Sequence, residues 1–178
     1  IFTGMATAIV TPMTRDGIDY EALGRFIEFQ IENGINALVV MGTTGENATI
    51  EPEDQKEVIR FTVEKVAKRV PVIAGTGTNN TEHVLHNTRN ACEVGADAVL
   101  VVTPYYNKAT QNGLYKHFTM IADASTVPVI LYNVPGRTGC NLLPATVAEL
   151  SKHPRITAIK EASGNVAQVV ELQSLCGN

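Results

Sequence analysis

Apolar residues along this chain fall into short runs, and between the runs they recur every three or four positions. A run of four to six apolar residues predicts a buried strand, and a stripe with helical spacing predicts an amphipathic helix. The two alternate six times. Residues 5–10 form the first predicted strand, ended by Thr11-Pro12, and a helix follows from about Asp19 with Leu23, Phe26, Ile27 and Ile31 on one face. Gly34 is placed to close that helix. The second strand is predicted over 37–41. Pro52 suits the first turn of the next helix, whose stripe is Val58, Ile59, Val63 and Val66. The third strand is predicted over 70–74, and its helix carries Val84, Leu85, Thr88, Ala91 and Cys92 up to Gly95. The fourth, over 98–102, leads to a stripe of Leu114, His117, Phe118, Ile121 and Ala122. The fifth, over 127–132, is followed by a short helix at 145–150. The sixth spans 156–160, and Val166, Val169, Val170 and Leu175 open a last helix.

Each unit takes roughly 30 residues, the usual size of a βα repeat. The strands are apolar on both faces, as expected of a parallel sheet covered by helices. Two α/β architectures fit: a doubly wound open sheet, or a (β/α)8 TIM barrel of which this chain holds the first six units. No Gly/Ser-rich linker or charge run divides residues 1–178, so one domain is expected. Net charge is −4 without a Lys/Arg cluster, which speaks against nucleic acid as a partner. No apolar run reaches the ~18 residues that span a membrane, and no basic segment precedes an apolar one as in a signal peptide. A cytoplasmic location is the expectation. Cys92, Cys140 and Cys176 lack C-x-x-C spacing, which favours reduced thiols over a zinc site.

The chemistry gathers around Ile156-Thr157-Ala158-Ile159-Lys160-Glu161-Ala162-Ser163-Gly164. It reads as a short buried strand that ends in a lysine and breaks into Ser-Gly. Alternation puts Ile156, Ala158 and Lys160 on one face. A desolvated lysine lowers its pKa, and the neutral amine can form a Schiff base with a carbonyl. The plainer reading is a strand-end lysine whose ammonium reaches solvent. Other unusual residues also follow strands, where a (β/α) barrel carries its functional groups. Gly42-Thr43-Thr44-Gly45-Glu46 is suited to a carboxylate, since a glycine-bounded turn can aim backbone N–H groups at an anion. It also reads as a plain tight turn with capping threonines. Tyr132 shares its strand face with Ile130, should point toward the same interior as Lys160, and can move protons there. A packed core tyrosine is its alternative. Arg137, in a Pro-Gly loop, can grip a carboxylate or simply be solvated. Gly75-Thr76-Gly77 has Asn80 where a dinucleotide loop needs its third glycine. His83 and His86 lack a third ligand, so no metal is expected.

With these motifs assembled, the whole chain resembles the 4-hydroxy-tetrahydrodipicolinate synthase family of pyruvate-dependent class I aldolases. The likeness runs from Phe2-Thr3-Gly4 and Ala8-Ile9-Val10-Thr11-Pro12 through Gly42-Thr43-Thr44-Gly45-Glu46 and Pro104-Tyr105-Tyr106-Asn107. It continues through Tyr132-Asn133-Val134-Pro135-Gly136-Arg137-Thr138-Gly139 to the lysine strand. The resemblance implies the TIM barrel and a condensation of pyruvate with aspartate semialdehyde, in lysine and diaminopimelate biosynthesis, without metal or organic cofactor. It implies that Lys160 forms the imine, that Thr43, Thr44 and Gly45 hold the pyruvate carboxylate, and that Arg137 binds the second substrate. Tyr132 is implied as proton shuttle, with Thr44 linking it to a Tyr106 supplied by a neighbouring subunit of a dimer of dimers.

Two departures stand out. Chains of the family continue through two more βα units, so the isolated fragment is expected to be inactive. Some members are inhibited by lysine at a subunit interface; Ala48, Asn79 and Tyr105 match that site, whereas Pro52, Gln55 and His83 do not. The alternatives are a related pyruvate aldolase such as N-acetylneuraminate lyase, or a non-catalytic binding protein on the same scaffold. Arg137 argues against the first. The intact Lys160, Tyr132, Thr44 and Tyr106 set argues against the second.

Overall fold

The computed structural model describes residues 1–177. Two compact units share the chain, one built from Ile1–Thr76 with Arg89–Leu100, the other from Gly77–Thr88 with Val101 onward.

In the first unit, β1 (Ala6–Ala8) leads into a small hairpin, β2 (Met13–Thr14) and β3 (Gly17–Ile18), turned at Arg15-Asp16. Gly17 takes φ +132°, which its neighbours in the turn would resist. Helix α1 (Tyr20–Glu32) starts where the Asp19 carboxylate accepts the Ala22 N–H at 2.8 Å, a cap worth about 1 kcal/mol. Strand β4 (Ala37–Val40), helix α2 (Pro52–Val66) and strand β5 (Val72–Gly75) follow. Helix α2 packs on α1, β4 and β5. Leu23, Ile27, Leu38, Val58, Ile59, Val66 and Ile73 are buried in this unit, as their spacing predicts. Each such side chain contributes roughly 1.5–3 kcal/mol through its burial.

Helix α3 (Thr81–Glu93) begins in the second unit and ends in the first, and β6 (Ala98–Val102) passes the other way. In the second unit α4 (Gln111–Ala124), β7 (Val129–Asn133), a single turn α5 (Pro135–Thr138), α6 (Pro144–Leu150), β8 (Ile156–Glu161) and α7 (Val166–Cys176) complete the chain. Pairing is parallel between β1 and β4, β4 and β5, and β5 and β6 in the first unit, and between β7 and β8 in the second. The main strands are thus ordered β1-β4-β5-β6-β7-β8, the order of the chain. A doubly wound sheet reverses direction at a switch point; this order never reverses. The six units are therefore those of a (β/α)8 barrel, and the open-sheet alternative is set aside.

Two expectations need correction. Only Ile156 of β8 is buried, because β8 is the outer strand of the sheet and, among the described residues, has a neighbouring strand on one side alone. In α7 the apolar stripe is exposed, with Val166 at 74% and Val170 at 65%, while the polar Gln168 is buried. Hydrogen bonds described below account for the burial of Gln168.

His117 sits on the buried face of α4. Its Nδ1 lies 2.9 Å from Thr81 Oγ1, its ring stands edge-on to Phe118, and its buried Nε2 has no partner among the described residues. Burial lowers its pKa from 6.5 to about 4. The unfolded chain takes up this proton below about 6.5, whereas the folded chain resists it until about 4. Its contribution to stability is therefore intact above pH 6.5 and lost as the pH falls toward 4, by on the order of 3 kcal/mol. Urea unfolding at pH 7 and pH 4.5 checks this, with His117→Asn expected to lose less stability over the interval than the parent. An equal loss in both would show that His117 is not the group responsible.

Candidate active site

Strands β7 and β8 pair in register with Tyr132 opposite Lys160 and Asn133 opposite Glu161. A bulge between Val129 and Ile130 resets the pairing, so that Ile130, Leu131 and Tyr132 face Ala158, Ile159 and Lys160. Lys160 Nζ lies 4.3 Å from the centre of the Tyr132 ring. An ammonium over an aromatic face gains about 0.5–1 kcal/mol at an exposed site. Lys160 is exposed on this outer strand rather than buried. Its pKa is nevertheless lowered, chiefly by desolvation against surrounding protein and further by the positive charge of Arg137. Both causes disfavour the ammonium and enlarge the neutral, nucleophilic fraction.

Arg137 lies on the helical turn α5, opened by Pro135 at its first position, rather than in an open loop. Pro fixes the backbone angle that a first helical residue needs. Together with Tyr105, Tyr106, Lys108, Thr138 and Gly139, Arg137 lines a cavity of about 730 Å³. Tyr106 is 87% exposed and takes φ +70°, a conformation an aromatic residue adopts at a cost of about 1–2 kcal/mol. Its N–H donates to the Thr138 carbonyl at 3.1 Å, which anchors the strained backbone.

In the first unit, Thr43–Gly45 forms a 3₁₀ turn. The Gly45 N–H donates to the Gly42 carbonyl and the Glu46 N–H to the Thr43 carbonyl, so these two donors close the turn. The Gly45 N–H is therefore committed inward, and Thr43 and Thr44, both exposed, carry the turn's outward chemistry. Gly45 itself is buried, with the Thr11 hydroxyl donating to its carbonyl at 2.8 Å; a Cβ there would stand 3.2 Å from Thr11 Oγ1.

The glycines of Gly75-Thr76-Gly77 serve packing. A Cβ on Gly77 would fall 2.4 Å from the Val102 backbone nitrogen, within the second unit. His83 and His86 join no cluster of His, Cys, Asp or Glu able to hold a metal among the described residues. Sequence reasoning missed a hydrogen-bonded group behind the Lys160–Tyr132 pair, formed by Asn133, Glu161, Asn141 and Gln168. These residues are distant along the chain and follow no motif; the only signal is that Asn133 and Glu161 adjoin Tyr132 and Lys160.

A sequentially ordered parallel βα array, with a lysine and a tyrosine facing each other at adjacent strand ends, defines the class: a (β/α)-barrel protein with a strand-end lysine. The chain belongs to the dihydrodipicolinate synthetase family, whose model matches residues 1–178. It is 56% identical over 176 residues to the 4-hydroxy-tetrahydrodipicolinate synthase of Acetivibrio thermocellus, covering 99% of this chain and 60% of that protein. The crystal structure of dihydrodipicolinate synthase from Aquifex aeolicus superposes with a TM-score of 0.96 at 44% identity, covering 98% of this chain and 60% of that one. The chloride-inhibited enzyme from Acinetobacter baumannii, complexed with pyruvate, gives a TM-score of 0.94 at 46% identity, covering 98% and 60%. The chain thus spans about 60% of the length of the curated relatives it matches.

Proposed function

We propose that the whole protein containing this chain condenses pyruvate with aspartate semialdehyde to 4-hydroxy-tetrahydrodipicolinate, as a lyase of lysine and diaminopimelate biosynthesis. Residues 1–178 are read as the part of its barrel domain that carries the imine-forming lysine. The observation that carries this reading is Lys160, its pKa lowered and its Nζ 4.3 Å from the Tyr132 ring centre. The neutral amine attacks the pyruvate carbonyl carbon, and the carbinolamine loses water to give an imine. Tyr132 moves the protons these steps require. The derived enamine forms a C–C bond to the aldehyde carbon. The amino group of the condensed product then attacks the imine carbon and expels Lys160, closing the ring and freeing the enzyme. The lysine is both attacking and leaving group, so neither metal nor organic cofactor enters the scheme.

Thr43 and Thr44 hold the pyruvate carboxylate, with Gly45 supplying the fold of the turn. The exposed, strained Tyr106 suits a residue held out for a neighbouring subunit. It completes a proton relay with Thr44 and Tyr132 in a homotetramer arranged as a dimer of dimers. A cytoplasmic site of action belongs to the same reading. No helix among the described residues is long and apolar enough to cross a membrane.

The experiment is borohydride reduction of the whole protein with pyruvate, followed by mass spectrometry and an assay with either aldehyde. An adduct on Lys160 with turnover of aspartate semialdehyde supports the reading. Turnover of N-acetylmannosamine instead would assign the protein to the lyase branch, and no adduct would overturn the aldolase reading. Arg137→Ala separates two roles. Loss of a charge-assisted contact to the aldehyde's carboxylate should cut its specificity constant by about 10- to 150-fold. Loss of the charge that helps lower the Lys160 pKa should also move the rise of imine formation to higher pH. An unchanged specificity constant and pH profile would remove Arg137 from the site.

A further inference from the structure

Behind the reactive pair, four side chains from four segments form one hydrogen-bonded group. Asn133 ends β7 and is fully buried; Glu161 ends β8 and is half-buried; Asn141 lies between α5 and α6; Gln168 opens α7 and is buried. The group has a single possible polarity. The Leu142 backbone N–H, which can only donate, reaches Asn133 Oδ1 at 2.9 Å. Asn133 Nδ2 must therefore face Asn141 Oδ1 at 2.8 Å and Glu161 Oε2 at 2.9 Å. Asn141 Nδ2 then donates to Gln168 Oε1 at 2.9 Å. That leaves Gln168 Nε2 to donate to Glu161 Oε2 at 3.1 Å and to Asn141 Oδ1 at 3.2 Å. The Ser163 N–H reaches Glu161 Oε1 at 2.7 Å. Every group aimed at Glu161 is a donor, an arrangement that favours the acceptor-only ionised carboxylate.

We infer that Glu161 is a positioning residue, whose carboxylate locks the ends of β7 and β8 in the register that sets Lys160 against Tyr132. This role rests on the proposed function, since it concerns the same lysine. Alternation along the two strands puts Lys160 and Tyr132 on one face and Glu161 and Asn133 on the other. A one-residue slip of an outer strand would turn Lys160 away from Tyr132 altogether. The Asn133–Glu161 bond, together with the Ala162 N–H to Asn133 carbonyl bond at 2.8 Å, forbids that slip from the opposite face. Burial by itself would raise the Glu161 pKa, but hydrogen bonds from Ser163, Asn133 and Gln168 outweigh it and hold the group ionised.

Three variants of the whole protein test the role by the rate of borohydride-trapped imine formation with pyruvate, alongside thermal unfolding. Glu161→Gln presents an amide donor to donors, and Asn133→Asp presents a carboxylate to a carboxylate. Each should slow imine formation about 10- to 100-fold, the scale of a reacting group misplaced by about 1 Å. The double variant reverses the polarity: the new carboxylate accepts from Leu142 N–H and from the new amide, and the Asn141 and Gln168 amides turn over. Its rate should return to within about threefold of the parent, by the general rule that a satisfied buried network is restored as a unit. A folded Glu161→Gln with the parent's rate, or a loss the double variant does not restore, overturns the role. Should Glu161→Gln fail to fold, Gln168→Ala removes one donor from the carboxylate, and a rate equal to the parent's there overturns it equally. No adduct in the parent would overturn the proposed function and this role with it; an adduct that ignores these substitutions overturns this role alone.

Discussion

Replacing Lys160 with alanine is expected to abolish the borohydride-trapped pyruvate adduct and to lower kcat by on the order of 10⁴- to 10⁶-fold, the range seen when a covalent nucleophile is removed. Lys160→Arg should fail as completely. A guanidinium keeps its proton in proteins, so it has no lone pair to offer a carbonyl however well it fills the space. The pair of variants therefore separates charge from chemistry. If Lys160 were only a cation resting on the Tyr132 ring, arginine would preserve the contact and the activity, since it stacks on aromatic faces at least as well. The lowered pKa of Lys160 points the other way, because its causes, desolvation and the Arg137 charge, both work against a permanent cation. A pyruvate adduct that persists in Lys160→Ala, shown by peptide mapping of the reduced protein, would place the imine elsewhere.

How much of this was legible in the sequence depends on the range of the interaction that fixes each feature. The strand over Ala98–Val102 was read to the residue, because a fully buried strand is apolar on both faces and has sharp ends. That Tyr132 points to the same side as Lys160 follows from alternation, whereas their direct pairing across β7 and β8, past the bulge at Val129, is visible only in the structure. The hairpin of Met13–Thr14 and Gly17–Ile18, with Arg15-Asp16 as its loop, is not legible in the sequence, since two residues per strand carry no period. Exposure of β8 and of the α7 stripe was invisible because local pattern reports which residues prefer burial, whereas the available neighbours decide it. The Glu161 network was illegible for a related reason. Glu161 and Gln168 read as ordinary polar positions, and only the fold shows that Asn133 and Asn141, eight residues apart, meet them. Gly75-Thr76-Gly77 looks in sequence like an incomplete nucleotide loop, whereas its glycines answer to neighbouring backbone.

That last feature carries the largest expected effect on stability. Gly75→Ala would put a Cβ 2.2 Å from the Met41 carbonyl oxygen, 2.7 Å from its carbon and 2.8 Å from the Gly42 nitrogen. All three atoms are backbone, so no side chain can swing aside. Met41 follows β4, is fully buried, and takes φ +55°, a left-handed conformation that a methionine pays for with about 1–2 kcal/mol. That bend lays its carbonyl on Gly75 and sends the chain into Gly42-Thr43-Thr44. The missing side chain at 75 is thus what lets the turn proposed for the pyruvate carboxylate start where it does. The expected loss is about 4 kcal/mol or more, in the range reserved for disrupted cores and strained backbone. Protein that still folds should bind pyruvate more weakly, because relief of the clash must displace Gly42 and the threonines after it. Gly24→Ala is the contrasting case: its Cβ would meet Phe61 Cζ at 3.5 Å and Lys65 Cε at 3.6 Å, ordinary contacts, within α1. There the gain in helix propensity should stabilise by about 0.5–1 kcal/mol. Urea unfolding of both variants in the whole protein, with KM for pyruvate measured alongside, compares them directly. A Gly75→Ala protein with the parent's unfolding midpoint and pyruvate KM would mean that the Met41 bend relaxes freely and does not fix the turn.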